Sequence, residues 1–201
     1  MYQPKGIMLD LETLGTEPGC AILSIGACTF DVAKEEVGTH EFHVVIDAYS
    51  CFKVGLICNP NTKQWWTEQS DQAINETYLP AMTGLGASTV PLKEALLSWY
   101  AWYKSMQVIG YENVWGNGST FDNIILIAAW DIVNARLETP IPCPLPDNRK
   151  DRDYRTLKEI APFIRIVRQG IYHNALDDAK SQAVHLLRIC EFINVAYKHK
   201  Y

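Results

Sequence analysis

Four carboxylates and one histidine carry the chemistry available to this chain. Asp10 and Glu12 stand in GIMLDLETLG, Asp122 in VWGNGSTFDNIIL, and His173 and Asp178 in YHNALDDA. Three of the four carboxylates lie in or beside apolar segments, where an isolated charge costs on the order of several kcal/mol. A divalent cation is the simplest group that offsets such a cost. Asp10 and Glu12 are two apart on an expected strand, so their side chains share one face. Two carboxylates so placed repel each other unless a cation lies between them. Asp122 and Asp178 each fall in the first turn of an expected helix, where the macrodipole favours negative charge. His173 precedes Asp178 by five residues on the loop entering the last helix, and a loop histidine beside a metal site can accept a proton near neutral pH. Taken singly, each has an ordinary explanation: a strand-end acidic pair facing water, two first-turn aspartates and a surface histidine.

The elements that must position these residues are legible from patterning. Gly6 to Leu11 reads as a strand buried on both faces, since Ile7, Met8 and Leu9 form a continuous apolar run. Cys20 to Phe30 and Glu41 to Ile46 read as two further strands joined by the polar turn Ala33 to Gly38, which makes a three-stranded meander. Asn59 to Tyr78 and Ser88 to Met106 read as helices. The second has Ser88 or Thr89 as cap and Leu92, Leu96, Trp99 and Tyr103 on one face. Asn113 to Trp115 is a short strand, and Ser119 or Thr120 caps a central helix from Phe121 to Arg136, whose one-face positions are Phe121, Ile125, Ala128, Ala129 and Ile132. Thr139 to Asp147 carries four prolines and is expected to form a rigid active-site rim. Thr156 to Ala161 forms a short helix, and Ala175 to Tyr197 a long last one with Ala183, Leu186, Leu187, Cys190 and Ile193 buried. The order is that of a mixed α/β layer arrangement.

With 201 residues, 48% hydrophobic and 20% charged, the chain suits a single domain, 1–201, with a full core. The net charge of −5 excludes a strongly basic nucleic-acid coat protein. Between Arg149 and Arg168, however, seven basic residues face three acidic ones, a local surplus that could grip a few phosphates. No apolar run reaches a membrane span of roughly 18 residues. The N-terminus runs straight into a strand without a signal-peptide pattern. The six cysteines form no C-x-x-C pair and read as reduced thiols, so a cytoplasmic setting is expected.

The conjunction of the three motifs is far more specific than any one of them. D-x-E-T ends the first strand, F-D opens a mid-chain helix and H-x-A-x-D-D-A opens the last helix, in that order. In this the chain resembles the DEDDh branch of 3′-to-5′ exonucleases, a superfamily with ribonuclease T, oligoribonuclease and the proofreading subunits of replicative polymerases. DLETLG, ILSIGA, WGNGSTFD and RDYRTL are most similar to a small branch known from phage exonuclease A and a mycobacterial exoribonuclease. One departure is present: where many members have Asn-x-x-Phe-Asp, Asn117 precedes Phe121-Asp122 with one extra residue.

The resemblance implies a ribonuclease-H-like α/β fold, a mixed sheet flanked by helices with its first three strands antiparallel. It implies two Mg²⁺ or Mn²⁺ ions held by Asp10, Glu12, Asp122 and Asp178, with Asp10 bridging them. All-oxygen sites suit these ions, and a clamp roughly 4 Å wide stabilises the attacking and leaving oxygens of a phosphoryl displacement. With one ion His173 would deprotonate the attacking water, and the other ion would offset charge on the departing 3′-oxygen. The implied products are 5′-mononucleotides cut from the 3′ ends of single-stranded DNA or RNA. For substrate, the resemblance puts Leu14 against the terminal base and Thr13 beside its sugar. The residues themselves add Trp65 or Trp66 as a stacking surface and Arg155, with Arg165 or Arg168, as phosphate contacts. Several relatives are homodimers, and the resemblance allows the same here. Two alternatives stay open: a metal-dependent endonuclease on the same scaffold, against which the His173–Asp178 spacing weighs, and an inactive nucleic-acid-binding protein, against which the five intact positions weigh.

Overall fold

The computed structural model describes residues 2–86, 89–141, 143, 145 and 149–198. Strands β1 (Lys5–Thr13), β2 (Ile22–Asp31) and β3 (Glu36–Ile46) form the expected antiparallel meander. β1 and β3 are longer than their apolar runs, because backbone pairing continues into the polar residues beside them, while β2 starts two residues later and ends one later than expected. Helix α1 (Ala48–Lys53) follows, with no periodicity strong enough to announce it. The expected helix from Asn59 to Tyr78 is interrupted. Helix α2 (Pro60–Trp66) starts at an Asn59 cap and ends in a turn, and Ser70 caps a new start. From there α3 (Asp71–Ala73), a π-helical turn (Ile74–Tyr78) and α4 (Leu79–Thr83) run on continuously.

Strand β4 (Thr89–Val90) takes up Thr89, and Pro91 stands at the cap of α5 (Leu92–Val108) with no side-chain bond. Ser88, the other candidate cap, lies outside the described residues. Leu92, Leu96, Trp99 and Tyr103 are all buried on α5 as the spacing predicts. Strand β5 (Val114–Gly116) leads to α6 (Asp122–Asn134), whose cap position is held by Phe121 instead of Ser119 or Thr120. The buried stripe of α6 is Ile125, Leu126, Ala129, Trp130 and Val133, rotated from the expected one, so that Ala128 and Ile132 are only half-buried. Of the proline-rich loop, residues 142, 144 and 146–147 lie outside the described set. Its Ile141 is tied to Asn134 and Trp130 of α6, and no described residue of the loop lines the cleft below. Strand β6 (Asp151–Asp153), α7 (Tyr154–Ile160) and α8 (Ala175–Lys198) complete the chain.

The sheet order is β4-β3-β2-β1-β5-β6, with β5 parallel to β1, β6 parallel to β5 and β4 parallel to β3. Strand alternation divides the interior into two layers. Ile7, Leu9 and Leu11 of β1 face a core built with α1, α5 and α6. Met8 faces the other side, where Cys28, Phe30 and Trp115 meet Tyr154 of α7 and Ala179, Ala183 and Leu186 of α8. Asp10 and Glu12 continue the even-numbered face of Met8, so they point toward α8 and not into the larger core. This mixed sheet flanked by helices is the ribonuclease-H-like arrangement that the sequence implies.

The approach of α8 depends on one residue. Gly26 of β2 stands directly opposite Asp10 in the β1–β2 register. A Cβ at Gly26 would lie 2.1 Å from the backbone of Ala175 and Leu176. The first turn of α8 therefore sits on bare β2 backbone, which brings it close to Asp10. Ala175, Ala179 and Ala183, all fully buried, keep that helix face equally low.

Candidate active site

Asp10 on β1 leads the site. Its Oδ1 accepts from Gln182 Nε2 at 2.7 Å, one helical turn beyond Asp178 on α8. Glu12 is 6% exposed, and its Oε1 lies 4.0 Å from His173 Nδ1. Asp122, 1% exposed at the start of α6, accepts from the backbone amides of Leu11 (3.0 Å) and Asn117 (2.7 Å). It thereby pins the end of β1 to the loop after β5. Asp178 accepts from Arg168 Nη1 at 2.5 Å and from the backbone amide of His173 at 3.1 Å. Candidate ligand atoms of Glu12, His173 and Asp178 all lie within 4.8 Å of one another.

His173 is held in an unusual backbone. Its φ is +64°, a left-handed conformation that costs a non-glycine residue on the order of 1 kcal/mol. Both sides of the residue are fixed: Asp178 takes its amide, and Thr77 Oγ1 donates to its carbonyl at 3.1 Å. Thr77 belongs to the π-helical turn, whose wider winding brings this buried hydroxyl to the loop. The imidazole is framed by Trp65, edge-on at 4.8 Å between ring centroids, and by Tyr172 at 3.8 Å.

These groups open into a cleft of about 480 Å³, lined by Asp10, Glu12, His173 and Asp178, and further by Asn61, Thr62, Trp65, Phe121, Arg168, Tyr172 and Gln182. Asp122 does not line it, but it holds Leu11 and Asn117, which do. Thr13 lines it too. Two sequence-based assignments need correction. Trp66 is fully buried, donates its Nε1 to the Thr13 carbonyl at 2.9 Å and stacks on Tyr78. Neighbouring helix residues point about 100° apart, and here Trp65 has the cleft and Trp66 the core. Leu14 is also fully buried, packed in the larger core where the chain turns away from β1, and it does not line the cleft. Arg155 is exposed outside the cleft and donates to the carbonyl of Asn117, which does line it. Gln182 and Tyr172 escaped the sequence reading. Gln182 lies four residues after Asp178, a spacing that puts both on one helix face and could have pointed to it.

Burial pushes the Asp10 carboxyl well above the usual carboxylate range, and the charges of Asp122, Glu12 and Asp178 push it further. Glu12 is raised well above that range in the same way, first by burial and then by Asp178 and Asp122, with Arg168 opposing. Asp122 is pushed up to about 6 by burial, against the pull of its backbone donors. Asp178 is raised by burial despite Arg168. Burial, with the Arg168 charge, lowers the His173 pKa.

Raised carboxylates bind protons more tightly in the folded chain than in the unfolded one. The stability they contribute is fully present below about pH 4 and is lost as pH rises through the folded values. The midpoint of thermal unfolding of the metal-free protein should therefore fall between pH 4 and 7, and Mn²⁺ or Mg²⁺ should restore it at pH 7. A midpoint that stays flat or climbs over that interval would contradict the electrostatics of this site.

Residues 5–190 match the model of a domain family described as the 3′-5′ exoribonuclease Rv2179c-like domain. Among solved structures the chain is similar to the nuclease domain of 3′hExo, a DEDDh family member, bound to rAMP. The TM-score is 0.56 and the identity 14%, over 94% of this chain and 93% of that one. It is also similar to a full-length 3′-exonuclease, with TM-score 0.53 and identity 13%, over 95% of this chain and 62% of the other. A 3′-exonuclease in 3′-end-specific recognition of a histone mRNA stem-loop gives TM-score 0.50 and identity 11%, over 93% and 82%. At these identities the structural likenesses speak to the fold. No curated protein matches the chain in sequence.

Proposed function

The chain belongs to the 3′-5′ exoribonuclease Rv2179c-like domain family, in the DEDDh superfamily, and from that membership we propose that it shortens single-stranded RNA from the 3′ end by metal-dependent hydrolysis. Its enzyme class, a 3′-5′ exonuclease, follows from the family. RNA as the preferred strand, the metal stoichiometry and the residue roles are our reading. The observation that carries it is the convergence of Asp10 and Glu12 from β1 and Asp178 from α8 on one cleft beside His173, with Asp122 of α6 holding the Leu11 and Asn117 that line it.

The donor set suits hard divalent ions. Four carboxylates crowd together without enough protein cations to balance them, and the amide oxygens of Gln182 and Asn117 are buried at the cleft without a partner among the described residues. Asp10, Glu12, Asp122 and Asp178 would hold two Mg²⁺ or Mn²⁺ ions, which when bound lower the cost of the charge that develops on the phosphate and the leaving oxygen. Gln182 orients Asp10, and the Leu11 and Asn117 amides orient Asp122. His173, whose Nδ1 faces Glu12, accepts the proton of the attacking water. The new P–O bond forms as the P–O3′ bond breaks, the 3′-oxygen leaves with the shortened strand, and a 5′-mononucleotide departs. We read the chain as one catalytic domain that works in the cytoplasm, with a homodimer as the assembly to test by sedimentation. Among the described residues no helix is long and apolar enough to cross a membrane.

The test uses 5′-labelled RNA and DNA oligonucleotides of one sequence, with Mg²⁺, Mn²⁺ or EDTA, beside a circular single strand. A metal-dependent ladder on linear RNA, slower on DNA and absent on the circle, is the expected result. Cutting of the circle would make the protein an endonuclease, and no cleavage anywhere would leave it a binding protein.

The two tryptophans should separate binding from folding. Trp65→Ala is expected to raise KM about tenfold, the size of one lost base stack, at an unchanged thermal midpoint. Trp66→Ala should cost about 3–5 kcal/mol of stability by opening a core cavity. Equal thermal effects in the two variants would refute this division, which denaturant unfolding and initial rates would measure.

A further inference from the structure

Among the described residues that line the cleft, Arg168 is the only Lys or Arg. It is presented by a segment that is tied down along its length to α8. The Ile164 carbonyl meets His185 Nε2 at 2.7 Å, while His185 Nδ1 meets the Tyr154 hydroxyl at 2.6 Å. A ring nitrogen facing a carbonyl must carry the proton, so this buried histidine is fixed as the Nε2–H tautomer with Nδ1 accepting from Tyr154. Further along, the Arg165 carbonyl accepts from Arg188 at 2.8 Å, the Gln169 amide donates to Ser181 Oγ at 2.8 Å, and the Ile171 amide donates to Asp177 at 2.7 Å. The backbone on both sides of Arg168 is thus held to α8, and its side chain, 42% exposed, reaches into the cleft.

That side chain has two anchors. Nη1 is 2.5 Å from Asp178 Oδ1, and Cζ lies 4.3 Å from the centre of the half-exposed Tyr172 ring. The first anchor is on a carboxylate that the proposed function gives to a metal ion. A guanidinium and a divalent ion compete for one carboxylate oxygen at close range, since both are positive. The second anchor survives such a displacement, because a guanidinium stacked on an aromatic face can swing about it while keeping its donors. An arginine released from Asp178 at the mouth of this cleft meets the phosphodiester that enters it, and its planar fork matches two phosphate oxygens.

We propose that Arg168 is an exchangeable counter-ion: it neutralises Asp178 in the metal-free protein and, when a divalent ion takes that carboxylate, turns on the Tyr172 ring to bind the phosphate of the nucleic-acid substrate. This rests on the proposed function and adds to it a phosphate-binding residue whose availability depends on the metal. The chain then gains this phosphate contact only when it is loaded for chemistry. Tyr172 serves as pivot and not as a second ligand.

The exchange predicts opposite changes in two affinities. In Arg168→Ala, Mn²⁺ alone, titrated without nucleic acid by calorimetry or electron paramagnetic resonance, binds more tightly than in the natural protein, because its competitor for Asp178 is gone. The same variant loses about 10- to 100-fold in kcat/KM on RNA, the size of a lost charge-assisted phosphate contact. Arg168→Lys keeps a cation without the fork; it is expected to lie between the two in Mn²⁺ affinity and to recover only part of kcat/KM, and it stands in should the alanine variant not fold. Mn²⁺ affinity that is unchanged or weaker in the variants would make Arg168 a mere support for Asp178 and overturn the exchange. An unchanged kcat/KM would overturn the phosphate contact. If the natural protein itself binds Mn²⁺ but shortens no RNA, it is the proposed function that fails, and the Mn²⁺ titration still decides whether Arg168 competes for Asp178.

Discussion

Replacing Asp10 with Asn is expected to lower RNA shortening by roughly a thousandfold or more while making the metal-free protein more stable. Activity falls because the carboxylate at the centre of the cluster is lost, and a metal-assisted displacement forfeits several kcal/mol of transition-state stabilisation. Stability rises for a separate reason. Asp10 is raised by burial and by repulsion from Asp122, Glu12 and Asp178, so at pH 7 its ionised form works against the fold. Asparagine removes the charge and keeps the oxygen that accepts from Gln182 Nε2. Relief of ~1 kcal/mol would raise the midpoint by roughly 2–4 °C in a chain of this size. Initial rates and thermal unfolding in EDTA measure the two effects. An Asp10→Asn variant that retains activity would remove Asp10 from the site, and one that melts earlier than the natural protein would show that the four charges do not repel as described.

Gly26→Ala should damage both fold and activity without touching a single charged group. The added Cβ falls 2.1 Å from the backbone of Ala175 and Leu176, and backbone cannot swing aside as a flexible side chain can. Either β2 or the first turn of α8 has to move by roughly an ångström or more to restore ordinary contact. We expect a loss of about 3 kcal/mol, at the upper end of overpacking costs. Whatever fold remains places Asp178 and His173 away from Asp10 and Glu12, and a misplacement of about 1 Å costs on the order of a hundredfold in rate. Denaturant unfolding and single-turnover rates would show it. Normal rates in this variant would mean that the docking of α8 on Gly26 does not set the site.

How much of this was legible beforehand depends on the range of the force involved. Asp10, Glu12, Asp122, His173 and Asp178 could be singled out because their spacing and local contexts are written along the chain. The meander, α5, α7 and α8 were found because alternation and helical periodicity are local signals. Strand β6 went unseen, since its three residues Asp151, Arg152 and Asp153 carry no apolar pattern and pair only because β5 offers an edge. The break in the Asn59–Tyr78 helix was hidden for a related reason: Ser70 is a good cap, but a polar turn between two amphipathic stretches reads like a polar helix face. Trp65 and Trp66 could not be sorted, because which of two neighbours turns inward is decided by Tyr78 and the Thr13 carbonyl, distant in sequence. Leu14 was carried over from a resemblance, and only the three-dimensional packing shows that its side chain goes into the larger core directly after Thr13. The role of Gly26 was invisible because a glycine in a strand says that something comes close without saying what.

The hydrogen bond from Gln182 to Asp10 joins residues 172 positions apart. A ribosome therefore makes Asp10 and Glu12 long before it makes the helix that supplies Asp178 and Gln182, with His173 just ahead of it. During all of that interval the nascent chain is threaded beside its own messenger with half a site and no means of closing it. If the chain acts as proposed, its site closes only once α8 has been made, so the capacity to shorten a strand comes late in its own synthesis.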